Sequence, residues 1–115
     1  MSNIVYKIVP ADLWRKAEED GVFHGASIDL TDGFIHLSTS LQAKKTVELY
    51  FAGQDNLLLV AIDGETLGSA LVYEPSRDGA LFPHLYASLD PAAVLWARPL
   101  VLRADGGHDF PEDFA

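Results

Sequence analysis

His36 and Ser38 are the first residues in the sequence whose types and spacing could support chemistry. Side chains alternate across a strand, so the segment 34–38 would place Phe34, His36 and Ser38 on one face. An imidazole beside a hydroxyl is a poor nucleophile–base pair but a good pair of hydrogen-bonding groups for one ligand. The alternative is structural: His36 is a packed, hydrogen-bonded strand residue, and Ser38 and Thr39 only cap the next helix.

The segment after Ser38 predicts a capped helix. Thr39 and Gln42 have the spacing of a capping box, and a Thr-Asp-Gly turn at 31–33 precedes the strand. Backbone N–H groups at the start of a helix attract anions. We therefore expect Thr39 and Ser40 to bind a phosphate or another anion beside the predicted strand.

A second set of chemically capable residues lies between Glu74 and Tyr86. Glu74 ends a predicted apolar strand, and Arg77 can bind an anion through a bidentate fork. His84 can act as an acid or a base near neutral pH, and Tyr86 adds a hydroxyl on an aromatic ring. The alternative is that Arg77 pairs with Asp78 at the surface and that Tyr86 belongs to the core.

Several other kinds of site have no signal in the sequence. The four histidines do not have the HExxH or HxH spacing of metal ligands and there is no cysteine, so we expect no metal site. Neither the GxSxG motif of serine hydrolases nor a glycine-rich phosphate loop is present. The net charge of −9 repels phosphate backbones, so we expect no nucleic-acid binding.

The 115 residues are enough for one domain with one core. We assign residues 1–103 to a single domain and residues 104–115 to an acidic, glycine-rich C-terminal tail, which Phe110 and Phe114 could hold to the domain. No apolar run approaches the roughly 18 residues needed to span a bilayer, and the first residues lack the features of a signal peptide. We expect a cytoplasmic protein that does not bind membranes and is a monomer.

Strand and helix patterns follow one another along the chain. The nearly continuous apolar run at 56–63 predicts a strand covered on both faces at the centre of a sheet. The order of elements predicts an α+β fold, a small, mainly antiparallel or mixed sheet with two or three packed helices. The predicted strands are 4–9, 34–38, 56–63, 70–74 and 94–102 (with Pro99 at an edge or bulge), the helices are 11–20 and 40–52, and 22–30 and 76–83 are loops.

Three segments form an ordered set of motifs: Tyr-Lys-Ile at 6–8, Asp-Gly-Phe-Ile-His-Leu-Ser-Thr at 32–39 and Phe-Pro-His-Leu-Tyr at 82–86. They resemble the motifs of a bacterial family catalogued as domain of unknown function 952, over residues 4–98. That family is grouped by fold with the ADP-ribosyltransferase-like superfamily. The resemblance implies a split sheet with a cleft that binds NAD or a related nucleotide.

The resemblance also implies roles for individual residues. Members of the superfamily place His or Arg on the first core strand, Tyr or Ser on the second and often Glu on a later one. By this resemblance Ser38 takes the second-strand role and Glu74 that of the late carboxylate. The first strand carries Tyr6 and Lys7 at that place, so His36 would supply the basic contact from the second strand.

Three hypotheses for function remain, and all but the last require that His36, Ser38, His84 and Tyr86 converge on one concave site. The first is an enzyme acting on an NAD-like nucleotide or another phosphorylated small molecule, with His36 and Ser38 fixing its hydroxyls and Glu74 or His84 acting at the reacting centre. The second is a non-catalytic ligand-binding module, and the third a structural or interaction protein. A Glu74 side chain beside His36 in the cleft favours catalysis, one that faces solvent favours binding, and the absence of a cleft favours the third.

Overall fold

The computed structural model describes residues 3–112 and 114. The strands are β1 (Ile4–Pro10), β2 (Ile35–His36), β3 (Ser38–Thr39), β4 (Leu57–Asp63), β5 (Leu71–Pro75), β6 (Leu81–Leu85), β7 (Trp96–Leu102) and β8 (His108–Asp109), and the helices are α1 (Ala11–Asp20), α2 (Ser27–Asp32) and α3 (Ser40–Tyr50). The larger sheet has the strand order β3-β1-β4-β7-β8, and the smaller sheet has the order β2-β6-β5. All these pairs are antiparallel, so the predicted α+β class with antiparallel pairing is confirmed.

β4 lies at the centre of the larger sheet, paired with β1 on one side and β7 on the other. Both of its faces are covered. One face contributes Val60 and Ile62 to a core that contains Trp14, and the other contributes Leu59 and Ala61 to a second core. This two-sided burial explains why β4 is apolar at nearly every position, and it confirms the predicted sheet centre.

α1 begins directly after Pro10 and ends before Gly21, as predicted. Gly21 has a φ of 77°, a left-handed conformation that glycine adopts without strain, and its N–H donates to the carbonyl of Ala17 at 2.9 Å. Trp14 is 1% exposed, and its ring packs at an angle against Phe23 with centroids 5.4 Å apart. The buried residues of α1, Ala11, Trp14 and Ala17, hold the helix against β1 and β4.

Residues 22–30, predicted as a loop, contain most of α2, so that prediction is wrong. The segment shows no helical period, and its helix depends instead on the side chain of Asp29. The Oδ2 atom of Asp29 accepts a bond of 2.8 Å from the N–H of Ala26, which satisfies a donor at the helix start. Gly33, with a φ of 86°, ends the helix, so the predicted Thr-Asp-Gly turn is its C-terminal end.

The single strand predicted over residues 34–38 is also wrong, because the strand is interrupted at Leu37. β2 pairs with β6 in the smaller sheet, whereas β3 pairs with β1 in the larger one. The N–H of Leu37 donates to the carbonyl of Pro83 at 3.0 Å, so the chain passes from one sheet to the other at this residue. His36 and Ser38 consequently belong to different sheets, yet both line the cavity between them.

Two further boundaries differ from the prediction. β6 begins at Leu81, inside the segment 76–83 that was predicted as a loop, because pairing with β5 extends it. α3 ends at Tyr50 rather than at residue 52, since Phe51, with a φ of −126°, has already left the helical conformation. Tyr50, at the end of α3, is 61% exposed.

The described part of the segment 104–115 contains β8, which pairs with the last two residues of β7. Phe110 and Phe114 pack against the second core, and the ring of Phe114 lies 5.0 Å from that of Tyr6. Pro99 lies in β7 outside the two residues that pair with β8, so one side of it is at an open edge, where proline is tolerated.

Candidate functional site

A cavity of about 430 Å³ is lined by residues of both sheets, of α2 and of α3. Its volume lies in the range of pockets that bind small molecules. Much of the wall is apolar, and several polar side chains converge on it. The polar side chains of the wall are Lys7, His36, Ser38, Thr46, Tyr50, Ser76, Arg77 and His84.

His36 and His84 face each other in the pairing of β2 with β6. Residues directly opposite in an antiparallel pair share one face of the sheet, and the two ring centroids are 5.7 Å apart. Of the four residues predicted to converge on one site, His36, Ser38 and His84 line this cavity and Tyr86 does not. The ring of Phe34 stacks on that of His84 with centroids 4.1 Å apart and lies 4.6 Å from that of His36, so one aromatic side chain supports both imidazoles.

His84 is held by a carboxylate on the adjacent strand. Its Nδ1 lies 2.8 Å from Oε1 of Glu74, and the hydroxyl of Tyr86 donates to the same oxygen at 2.6 Å. The bond from Tyr86, and after it the bond from His84, lowers the pKa of Glu74 below its usual value. The same carboxylate raises the pKa of Tyr86. Glu74 is therefore ionised, and Tyr86 neutral, near neutral pH.

This pairing determines which nitrogen of His84 is available for chemistry. Because an ionised carboxylate can only accept, Nδ1 carries the proton when the His84 ring is neutral. Nε2 then carries a lone pair, and it has no hydrogen-bond partner among the described residues. Nε2 is also not fully buried. In the described part of the chain, the only fully buried side-chain nitrogen or oxygen without a hydrogen-bond partner is Nε1 of Trp14, so the unpartnered Nε2 of His84 must have some accessible surface. His84 can thus exchange a proton with a molecule in the cavity.

His36 is held by Asp29, whose side chain is fully buried. Oδ1 of Asp29 is 2.7 Å from Nδ1 of His36 and accepts from the His36 backbone N–H at 3.0 Å. Oδ2 of Asp29 forms an ion pair of 2.8 Å with Nζ of Lys7, and this ammonium group also donates to the carbonyl of His36 at 3.2 Å. Asp29 and Lys7 together fix both the ring and the backbone of His36.

Burial and charge have opposite effects on the pKa values of Asp29 and Lys7. Burial raises the pKa of Asp29, but the charge of Lys7 and the hydrogen bonds from Lys7 and His36 outweigh it and leave the pKa lowered. Burial lowers the pKa of Lys7 despite the neighbouring carboxylate. Each charge therefore depends on the other, because removal of either would leave an unpaired charge in an apolar interior.

A second carboxylate lies on the other side of the His36 ring. Nε2 of His36 is 2.9 Å from Oδ2 of Asp32, the last residue of α2. A ring with protons on both nitrogens can donate to Asp29 and Asp32 at once, whereas a ring with one proton can donate to only one of them. The side chain of Asp32 is 42% exposed, so this contact, unlike the one to Asp29, can be exchanged for a ligand without opening the core.

Arg77 lies in the cavity wall and is supported by a hydroxyl and two rings. Its Nη1 donates to Oγ1 of Thr46 at 3.2 Å, and its guanidinium carbon is 4.9 Å from the ring centroid of Phe82 and 5.9 Å from that of Tyr50. The alternative interpretation, a surface ion pair with Asp78, is not seen: no acidic residue in the described ranges forms an ion pair with Arg77. Arg77 therefore lies in the cavity wall without an acidic partner among the described residues.

Four predicted site residues do not lie in the cavity wall. Instead, the hydroxyl of Tyr86 is hydrogen-bonded to Glu74, and Glu74 in turn contacts Nδ1 of His84. Thr39 and Ser40 are also absent from the wall, and the N–H of Thr39 is already bound to Oε1 of Gln42 at 3.0 Å. That bond is the one expected of a capping box, but the structure does not bring the start of α3 into the cavity.

Sequence reasoning missed Lys7, Asp29 and Thr46. A lysine at the centre of an otherwise apolar strand is a signal that could have identified Lys7, because such a residue needs a buried partner. Thr46 lies on α3 with its hydroxyl 3.3 Å from Oγ of Ser38, and a threonine inside a helix gives no sign of this contact. Asp29 had no signal, since its helix shows no period.

Two absences concern the described part of the chain. Among residues 3–112 and 114, no group of three or more His, Asp or Glu side chains could hold a metal ion. Over the same residues, no helix is long and apolar enough to cross a bilayer. The other two histidines lie outside the cavity: His24 is exposed, and Nε2 of His108 is 2.6 Å from the carbonyl of Gln54.

Residues 8–97 match the family described as "Protein of unknown function (DUF952)", and the chain belongs to that family. The family predicted from the three motifs is thereby confirmed. A comparison with curated proteins found no match.

Solved structures of a relative show the same fold. The crystal structure of protein CC0527 from Caulobacter crescentus is 45% identical, with a TM-score of 0.89 over 92% of this chain and 93% of that one. The solution NMR structure of CC0527 is 46% identical, with a TM-score of 0.83 over 91% of this chain and 90% of that one. The chain is therefore similar to CC0527 over nearly the whole length of both proteins.

Proposed function

We propose that the protein is an enzyme acting on a small anionic molecule, an NAD-like nucleotide or another phosphorylated compound, in the cavity lined by His36, Ser38 and His84. The observation that carries the proposal is the pair of imidazoles, with centroids 5.7 Å apart and each with Nδ1 bound to a carboxylate. A histidine oriented by a carboxylate is a recurrent arrangement in general acid–base catalysis.

His84 is the proposed acid–base residue. Its Nε2 accepts a proton from the substrate and returns it at a later step, while Glu74 keeps the proton on Nδ1 and stabilises the charged ring. When its ring carries protons on both nitrogens, His36, across the cavity, donates to the substrate from Nε2 once Asp32 moves aside. The hydroxyl of Ser38 supplies a further hydrogen bond. These roles need no metal ion and leave the protein unchanged after each cycle.

The resemblance to the ADP-ribosyltransferase-like superfamily supports a nucleotide-like substrate. Members of that superfamily carry His or Arg on the first core strand, whereas this chain has Tyr6 and Lys7 there, so His36 of β2, in the wall of the cavity, would supply the basic contact. Ser38 and Glu74 take the second-strand and late-carboxylate roles in the same comparison. Because this argument is an analogy of fold, NAD and related nucleotides are the first compounds to test rather than an assigned cofactor.

A non-catalytic binding module with the same cavity is the second candidate function. Glu74 does not line the cavity, and the polar groups of Lys7 and His36 already have protein partners. Groups that are bonded in this way can shape a pocket without exchanging protons. The cavity beside His36 supports both of these functions over a purely structural role.

A thermal-shift screen against nucleotides and phosphorylated metabolites tests binding. A ligand at about a hundred times its Kd adds about 2.7 kcal/mol to the free energy of unfolding, which a melting curve detects. The ligand found is then incubated with the wild type, with His84→Gln and with the control His24→Gln, whose side chain is exposed and outside the cavity.

The enzyme hypothesis predicts that the wild type and His24→Gln convert the ligand, and that His84→Gln is slower by at least about a hundredfold. Binding without conversion by the wild type assigns the protein to the second function. Both functions are contradicted if no compound stabilises the protein, or if binding is the same in the wild type and in variants of His84 and His36.

A further inference from the structure

Four basic side chains line the cavity, and they differ in whether an acidic side chain lies beside them. Lys7 is 2.8 Å from a carboxylate oxygen of Asp29. His36 and His84 have a ring nitrogen 2.7 Å and 2.8 Å from a carboxylate oxygen, respectively. Arg77 alone among the four has no acidic partner in the described part of the chain. The wall therefore offers one unmatched positive charge.

The guanidinium of Arg77 is held in place but keeps most of its donors. It donates to Thr46, and the rings of Phe82 and Tyr50 flank it. An arginine has five N–H donors in a planar fork that matches the oxygens of a carboxylate or a phosphate. The turn that carries it has a left-handed residue, Asp78, with a φ of 58°, an uncommon conformation for a residue other than glycine.

The apolar part of the wall and the net charge of the protein limit how much negative charge a ligand bound to Arg77 can carry. The apolar side chains of Ile8, Ile28, Leu37 and Phe51 line the same cavity and suit the body of a ligand rather than further charges. The protein as a whole carries a net charge of −9, so each negative charge beyond the one that Arg77 neutralises is repelled.

We propose that the cavity takes ligands with a single negative charge, carried by a carboxylate or a phosphodiester that Arg77 binds, on an apolar or planar body. The cavity then discriminates against diphosphates and triphosphates. This inference rests on the proposed function for the location of the ligand. Among the compounds proposed there it favours monoanions, and it disfavours NAD itself, because the diphosphate of NAD carries two negative charges.

Two matched series of probes test the inference by NMR titration. One consists of benzamide, benzoate and phenyl phosphate, and the other of adenosine, 3′,5′-cyclic AMP and ADP; in each series the body is constant and the negative charge increases. We expect benzoate and 3′,5′-cyclic AMP to bind at least about tenfold more tightly than the neutral and the multiply charged members, as one charge-assisted pair implies.

Arg77→Met should remove this preference, lowering the affinity for benzoate and 3′,5′-cyclic AMP by about tenfold while leaving that for the neutral probes unchanged. Arg15→Met, which removes an exposed arginine of α1, is the matched control and should bind like the wild type. Equal or tighter binding of phenyl phosphate and ADP, an unchanged preference in Arg77→Met, or no binding of any singly charged probe overturns the inference.

The outcome is distinct from that of the proposed function. Monoanions that bind through Arg77 but are not converted support the charge preference and contradict the enzyme. Multiply charged nucleotides that are bound and converted, with loss of conversion in His84→Gln, support the enzyme and contradict the charge preference.

Discussion

The imidazole of His36 lies 5.7 Å from that of His84, and each is bound through Nδ1 to a carboxylate of different burial. Asp29, the partner of His36, is fully buried, whereas Glu74, the partner of His84, is 37% exposed. Asp29 is therefore part of the interior that stabilises the fold, although the side chain of its partner His36 is 32% exposed. Glu74 is in contact with solvent, although the side chain of its partner His84 is only 7% exposed.

The buried ion pair between Asp29 and Lys7 predicts a large loss of stability in Asp29→Asn. The substitution leaves the ammonium of Lys7 without a counter-charge in the interior, which costs about 3–5 kcal/mol when a buried pair is broken. Urea unfolding measures the free energy of unfolding. The control Asp12→Asn, at a side chain that is 85% exposed, should change it by less than about 0.5 kcal/mol. Equal effects of the two substitutions would contradict the structural role of Asp29.

The lowered pKa of Asp29 predicts the direction of the response to acid. The unfolded carboxyl titrates near 3.8, and the folded one below it, so the stabilisation is complete above 3.8 and is lost as the pH falls through the folded pKa. Glu74, whose pKa is also lowered, acts in the same direction. Urea unfolding at a series of acidic pH values should show a steep loss in the wild type and a flatter one in Asp29→Asn.

His36→Ala should have little effect on stability and a large effect on binding. Without the ring, Asp29 still pairs with Lys7 and still accepts from the backbone N–H groups of Ala26 and residue 36, so no buried charge is orphaned. We expect a loss of at most about 1 kcal/mol, and loss of binding to whichever compound the screen finds. A denaturant melt and a titration measure the two effects. A large loss of stability with unchanged affinity would show that His36 is a packed structural residue and not a ligand contact.

Tyr86→Phe isolates the contact that most strongly lowers the pKa of Glu74. The variant removes the hydroxyl that donates to Oε1 of Glu74 but keeps the ring. We expect the pKa of Glu74 to rise relative to the wild type, because one of its two hydrogen bonds is lost. NMR titration of the Glu74 carboxyl carbon measures this, and an unchanged titration would show that the bond has no influence on the site.

Elements with a strong local pattern could be predicted from the sequence. α1 has an apolar period and β4 a nearly continuous apolar run, with clear ends at Pro10, Gly21 and the turn after residue 63, and the structure keeps those boundaries within one residue. These boundaries depend on neighbours in the sequence. The convergence of His36 and His84 was predicted from the strand faces that carry them, although the pairing of β2 with β6 that produces it joins distant parts of the chain.

The features that could not be predicted depend on contacts between distant residues. α2 has no period of its own and is held by Asp29, whose partners Lys7 and His36 come from two different sheets. The interruption at Leu37 depends on its bond to Pro83, far along the chain. The start of α3 is a different case, because a local bond, from the N–H of Thr39 to Gln42, already occupies a donor that was expected to bind an anion, and this helix start lies outside the cavity.

The most direct test of the central claim is a two-bond ¹H–¹⁵N NMR spectrum of the four histidines during titration with the ligand that the screen finds. In the free protein, the neutral His84 ring should carry its proton on Nδ1, with an unprotonated Nε2. Added ligand should shift the ring signals of His84 and His36 and leave those of His24 and His108 unchanged. A proton on Nε2 of neutral His84, or shifts confined to His24 or His108, would contradict the account.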